Sequence, residues 1–516
     1  MEKMKEYCIA ESRPTVLLTG ATGGMGYQGL TRMIQHADLF RTMILVRDSR
    51  KNRELLKPFL GQPGLEIVWG DLNDYAKVYE CVKRSHMCLH VAAFVSPAAD
   101  YYPKRAMQNN YGGTRNLIRA IQEQGRQDSY RFVYIGTVAE TGDRMPPIHW
   151  GRVGDPIKPS MFDYYAVSKV AAERLVIESG IRYFVSLRQT GIIGPAMSRV
   201  RDAIQFHNCF DNVLEYVSDR DSGVLLEHLA EFECGGSLDP SFWGHIYNIG
   251  GGQACRVSTG EMYETLYGLL GIRNMDLILK PKMTATRNFH GQYYLDSDKL
   301  EGYLHFRHDS MQYFYDCFLK EMGNTAALAK RMTKLPGGEK IIGSAIAGSF
   351  NKLAEAEHGT VHFIKANMQD RIEAYWGGMD RWEALPARYS EMKHFHDWDK
   401  VRHIDHGYDE DKPESELDLE DMRKAAQFRG GELISDHMEK GDWRSPLTFR
   451  CAFGHTFRAS PRLVLEGGHW CDECERKSWN YGVRAKVDPF FAQVWTPLHG
   501  EDEMREYPKE ISELDV

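Results

Sequence analysis

From Pro14 to about Asp202 the chain alternates short apolar runs with longer amphipathic stretches. TVLLTG precedes YQGLTRMIQHA; TMILV precedes a linker and LEIVWGD; MCLHVAA precedes a helical stretch around NLIRAIQEQ; FVYIGT follows. Apolar runs closed by glycine or an acid read as strands, and the amphipathic segments between them as helices. The rhythm predicts an α/β fold, a Rossmann-type doubly wound parallel sheet. From about 201 to 320 the elements become irregular, with glycine turns at Gly235-Gly236 and Gly250-Gly251-Gly252, as expected of a smaller substrate lobe. Residues 326–442 are helical in pattern and rich in Trp, His and Tyr. Within them, residues 409–421 hold eight acids and one lysine, which predicts a solvated linker. A compact cysteine-bearing segment, 443–486, and a polar tail, 487–516, complete the chain. The expected division is therefore a two-lobed unit over 1–325 (core about 14–200), a mixed helical region, a small module and a tail.

Length and charge narrow the classes. A chain of 516 residues is long enough for several domains, and a net charge of -8 supplies no general attraction to nucleic acid or anionic lipid. No run approaches the roughly 18 apolar residues of a membrane span, and the start is charged where a secretory signal needs an apolar core. A cytoplasmic protein without a membrane partner is expected. Of ten cysteines, Cys8, Cys81, Cys88, Cys209, Cys234, Cys255 and Cys317 are scattered and read as reduced, mostly buried thiols; Cys451, Cys471 and Cys474 cluster.

The first strand runs into Gly20-Ala-Thr22-Gly23-Gly24-Met25-Gly26 and then a helix. Glycines at a strand-to-helix turn let the backbone approach a pyrophosphate, which the free N–H groups and helix dipole attract. The second strand ends in Arg47, suited to the 2′-phosphate of NADP; the alternative is a solvated Arg47 with Asp48 holding the ribose of NAD. Asp71, at another strand end, is placed to bind the adenine amino group. Tyr165 and Lys169 lie one turn apart on a helix, so the ammonium can stabilise a phenolate whose unperturbed pKa is about 10. Thr137 ends a further strand, where its hydroxyl can hold a substrate oxygen.

In order and spacing, Thr19 through Gly26, Gly70-Asp71-Leu72, His90 through Ala93, Asn110, Thr137, Tyr165-x-x-x-Lys169 and Leu187-Arg188 through Gly194-Pro195 resemble the extended short-chain dehydrogenase/reductase family, from about Pro14 to Phe318. The resemblance implies that Tyr165 is the general acid/base, that Lys169 binds the nicotinamide ribose, that Thr137 stands for the usual serine and that Asn110 supports them. It adds Leu72 and Ala92 to the cofactor-binding set, and a homodimer acting on a small-molecule substrate is expected. Dehydratases of the family place Asp-Glu after the threonine, where this chain has Val138-Ala139. Epimerases often carry an asparagine where this chain has Gly191, and an aspartate where it has Arg47. These departures favour an NADP-linked (alternatively NAD-linked) oxidoreductase interconverting a secondary alcohol and a ketone. An epimerase with tightly bound NAD and a non-catalytic dinucleotide-binding sensor or scaffold are the alternatives.

The segment Cys451-Ala-Phe-Gly-His455, followed by Cys471-Asp-Glu-Cys474, offers two ligand pairs for a structural Zn²⁺ and resembles zinc-ribbon-like domains; His469 competes with His455 as ligand. Residues 443–486 carry eight basic and four acidic residues among aromatics. That composition suits a small domain packed on the main body better than a nucleic-acid surface. The His/Trp-rich stretch 375–408 either lines the substrate cleft or is solvated.

Overall fold

The computed structural model describes residues 13–509. Its centre is a sheet of seven parallel strands: β1 (Thr15–Thr19), β2 (Arg41–Val46), β3 (Leu65–Trp69), β4 (Met87–His90), β5 (Arg131–Thr137), β6 (Tyr183–Gln189) and β7 (His245–Ile249). They lie in the order β3-β2-β1-β4-β5-β6-β7, the doubly wound arrangement that the apolar rhythm predicts. Alternate residues serve opposite faces, which is why the strands read as unbroken apolar runs. Val16, Leu18, Ile44, Val133 and Val185 pack with Leu30 and Met33 of α1 (Gly24–Met33). Leu17, Leu45, Phe132 and Tyr134 pack on the other side with Leu117 and Ile121 of α2 (Gly113–Glu123) and Val176 of α3 (Tyr164–Ile177).

Helix α3 is apolar nearly all round, with buried residues on every side, and such a helix must be covered on more than one face. The sheet covers one. The cysteine-bearing segment covers another: Phe449, Phe457, Leu463, Val464 and Trp470 belong to the same apolar cluster as Phe132, Leu117 and Val176. Two polar contacts fasten the seam, from Arg174 Nη2 to the Trp470 carbonyl (2.8 Å) and from Ser460 Oγ to Glu178 (2.6 Å). That segment is itself a three-stranded antiparallel sheet, β8 (Glu432–Leu433), β9 (Leu447–Arg450) and β10 (Thr456–Ala459), followed by a short helix α5 (Asp472–Lys477). The irregular lobe presents its own helix, α4 (Asp219–Gly235), to α1, where Leu225, Leu226 and Leu229 meet Leu30 and Met33.

The acidic run is largely exposed, six of its eight acids lying at the surface, and it is tied down at a few points. Leu417 and Asp421 are buried, Lys412 sits between Asp418 and Asp421, and Glu410 pairs with both Arg152 and His406. The cations Lys412, Arg152 and His406 fix the run at Asp418, Asp421 and Glu410, while the other acids face solvent. His406, buried between Asp155 and Glu410, is not solvated. Cys81, Cys88, Cys209 and Cys255 are buried thiols, Cys234 and Cys317 are half-buried, and Cys8 lies outside the described residues. Among the described residues no helix is long and apolar enough to cross a membrane.

Candidate active site

A cavity of about 500 Å³ opens at the C-terminal ends of β1 and β4, where the strand order reverses and ligands of such sheets bind. Its floor is the glycine turn. Gly20 has φ +77, and a Cβ there would stand 2.6 Å from the Ala92 nitrogen; a Cβ on Gly26 would stand 2.2 Å from the Gly20 carbonyl. These two glycines are required by packing of the turn itself. A Cβ on Gly24 would meet nothing within 4 Å, so this glycine keeps the approach to the helix end open. Gly23 caps α1 without a side-chain hydrogen bond, leaving the N–H groups of the first turn directed at the cavity. Thr22, Met25, Arg47, Asp71, Leu72 and Ala92 line the same cavity, so residues from four separate motifs meet here.

Arg47 lines the cavity and is mostly exposed, 4.0 Å from Asp71. Asp48 is turned away into a bidentate pair with Arg53 (2.6 and 2.7 Å). That pair satisfies the one acid that could otherwise serve a ribose at this strand end.

Tyr165 faces the cavity from the first turn of α3, which Asp163 caps by accepting from the Ala166 N–H (2.8 Å). Burial holds its phenol above the ordinary tyrosine value, and a hydrogen bond with Thr137 opposes that shift. Lys169 is buried; its Nζ donates to the Ile135 carbonyl (2.6 Å) and stands 4.1 Å over the Tyr134 ring, so its ammonium is directed to the end of β5 rather than to the cavity wall. Burial pulls this ammonium down to about 8, against the attraction of Glu140 and Glu173. Asn110 lies in a widened helical turn (Met107–Gly112) and ties three parts together. Its amide accepts from the Phe94 N–H (2.6 Å) and donates to the Phe94 carbonyl (3.0 Å) and to Ser168 Oγ (2.8 Å), next to Lys169.

A charged network behind this site escapes the motif reading. Glu140 closes a capping box, accepting from the Thr137 N–H (3.0 Å), so it faces into the protein and does not restore the acid missing at Val138-Ala139. Its other oxygen is 3.3 Å from Arg188. Arg188 clasps Glu173, two turns along α3 from Tyr165, through Nε (3.1 Å) and Nη2 (2.7 Å), and also donates to the Gly467 carbonyl (2.7 Å). His469 Nε2 completes the set at 3.0 Å from Glu173. All are fully buried. Burial and the neighbouring Glu173 push Glu140 well above the usual carboxylate range; Glu173, despite burial, is held well below it by Arg188 and His469. The only sequence sign of this network was Arg188 within the Leu-Arg pair.

His469 is thereby removed from the cysteine cluster. Cys451, His455, Cys471 and Cys474 present donor atoms all within 4.8 Å of one another, the only such group among the described residues. The separations are 3.8 Å for Cys451–Cys474 and 3.3–3.6 Å from the three sulfurs to His455 Nδ1. A tetrahedron with Zn–S of about 2.3 Å and Zn–N of about 2.0 Å has edges of about 3.8 and 3.5 Å, so the donors fit the ion.

The fold is of the α/β class, with its main cavity at the switch point of the sheet. The sequence model of the NAD dependent epimerase/dehydratase family matches residues 16–211, and over this part the chain resembles that family. It is 28% identical over 225 residues to a 3 beta-hydroxysteroid dehydrogenase/Delta 5-->4-isomerase of Mycobacterium tuberculosis, covering 42% of this chain and 55% of the relative. A UDP-glucose 4-epimerase of Rickettsia bellii is 29% identical over 110 residues, 20% of this chain and 32% of the relative. The chain thus spans about half or less of the length of these curated relatives. Among solved structures, a dTDP-glucose 4,6-dehydratase of Streptomyces venezuelae with NAD bound covers 60% of this chain and 98% of its own, at 21% identity and a TM-score of 0.47.

Proposed function

We propose that this protein is an NAD(P)-dependent oxidoreductase that interconverts a secondary alcohol and a ketone. The observation that carries the reading is Tyr165, hydrogen-bonded to Thr137 and standing at the mouth of the cavity that the glycine turn opens. The dinucleotide would lie along Gly20–Gly26, Asp71, Leu72 and Ala92 and would supply or accept hydride. Tyr165 exchanges the hydroxyl proton of the substrate, Thr137 holds the oxygen, Lys169 favours the phenolate while it is cationic, and Asn110 keeps the helix in place. Arg47, lining the cavity while Asp48 is taken by Arg53, favours NADP over NAD. Against the epimerase alternative, a side chain at Gly191 would meet the Tyr216 ring at 2.7 Å, so the asparagine expected there has no room. The cysteine cluster would hold a structural Zn²⁺ with four protein ligands and no open position.

The test is Tyr165→Phe. Turnover of secondary alcohols should fall at least about a hundredfold, as loss of a general acid/base does, with dinucleotide affinity nearly unchanged and NADPH bound more tightly than NADH. Full activity in the variant overturns the assignment. A UDP-sugar isomerised with no net change in nicotinamide selects the epimerase.

A further inference from the structure

A second cavity of about 120 Å³, open to solvent, lies at the N-terminal end of α3. Three parts of the chain build it: Asp100, Ser160 and Asp163 from the first lobe, His207 and His290 from the irregular lobe, and Arg371 from α6 (Gln369–Trp376) of the region after Gly323. Asp100 accepts from the Tyr165 backbone N–H (3.0 Å), while the Tyr165 side chain faces the larger cavity. Its two acids are engaged, Asp163 by His290 (3.1 Å) and the helix cap, Asp100 by that N–H. His207 is engaged by the His358 carbonyl (2.8 Å) and the Tyr375 hydroxyl (3.2 Å).

Two wall groups have unused capacity: Arg371, which meets only the Tyr375 hydroxyl and aromatic rings, and the Ser160 hydroxyl. Arg371 lies 3.7 Å over the Phe162 ring and beside the Tyr375 hydroxyl, and no carboxylate pairs with it among the described residues. Ser160 is 3% exposed, yet its hydroxyl has no hydrogen-bond partner. A half-buried guanidinium without a counter-ion next to an unused buried hydroxyl leaves a place for an anion with further oxygens. The backbone is also strained here: Phe162 (φ +69), Asn288 (φ +71) and His358 (φ +67), three of the five non-glycine residues with positive φ, line this cavity. Such strain persists where the surroundings fix a site.

We infer that this cavity is the substrate-recognition site and takes a small hydroxy- or oxo-carboxylate, its carboxylate paired with Arg371 and a further oxygen bonded to Ser160. A guanidinium matches a carboxylate in a bidentate fork, and the volume is below the roughly 300 Å³ at which pockets for drug-sized molecules begin. The region after Gly323 thereby acquires a function, that of supplying the anion-binding wall. The inference rests on the oxidoreductase reading for the chemistry but not for the binding.

The experiment is calorimetric titration of NADP-loaded protein with lactate, 2-hydroxybutyrate, 3-hydroxybutyrate and their oxo forms, with methyl lactate and 2-butanol as uncharged controls. A carboxylate should bind at least about tenfold more tightly than its uncharged counterpart; Arg371→Gln should remove that preference, and Arg371→Lys should keep part of it, with NADP affinity unchanged in both. Wild-type protein that binds none of the carboxylates, or binds uncharged controls equally well, overturns the inference, as does a preference surviving in Arg371→Gln. Arg371-dependent binding without NADP reduction at an intact Tyr165 upholds the pocket and overturns the oxidoreductase reading alone.

Discussion

Lys169 carries its positive charge below about pH 8 and loses it above, because burial lowers the ammonium from its usual range. A phenolate at Tyr165 depends on that charge, so turnover should decline as pH rises through about 8. In Lys169→Arg, whose guanidinium stays charged, the decline should move to higher pH even if the maximum rate is lower. A pH–rate profile checks this; an unshifted alkaline limb in the arginine variant contradicts it. At this scale the motif residues were legible because their chemistry is local: a glycine turn, a phenol and an ammonium one helical turn apart, a strand-end arginine. Glu140 was not, because an acid three residues past Thr137 reads as any solvated acid until the capping box turns it inward. The same holds for Arg371, one arginine among many in a helical stretch.

Helix α3 is the element on which the site depends. Its N-terminus is set by Asp163, its middle by Asn110 through Ser168, and its C-terminal half by Glu173 between Arg188 and His469. His469 is a buried hydrogen-bond partner of Glu173, which keeps Arg188, and removing such a partner costs about 1–3 kcal/mol. His469→Ala should therefore destabilise the protein by an amount in this range, read by urea denaturation. It should also lower kcat more than it changes dinucleotide affinity, since His469 is remote from the glycine turn. Equal loss of both would mean that His469 serves general stability only. The helix itself was plain in the sequence, from its apolar VAAERLVI stretch. That it is covered on its outer face by residues three hundred positions later was not, because periodicity records that a face is apolar but not what covers it.

For the whole molecule, the cysteine cluster and the sheet share one apolar core, so the cysteine-bearing segment is part of the main body rather than an appendage. Cys471→Ser/Cys474→Ser should reduce bound zinc from about one ion per chain to none and lower Tm, measured by elemental analysis and calorimetry. Because His469 lies between the two ligand pairs, loss of the ion should also reduce turnover; zinc content equal to that of the wild type overturns the site. The sequence by itself determined the parallel sheet, the dinucleotide turn, the Tyr165/Lys169 pair and the Cys/His donor set, since each follows from local periodicity or short spacing. Tertiary structure alone decided that His455 rather than His469 joins the cysteines, that the acidic run is fixed at Glu410 and Asp421 by Arg152 and Lys412, and that Arg371 reaches a second cavity with Asp100 and Ser160. Those outcomes rest on contacts between residues far apart in the chain, where burial and the pairing of charges, not local propensity, choose the partner.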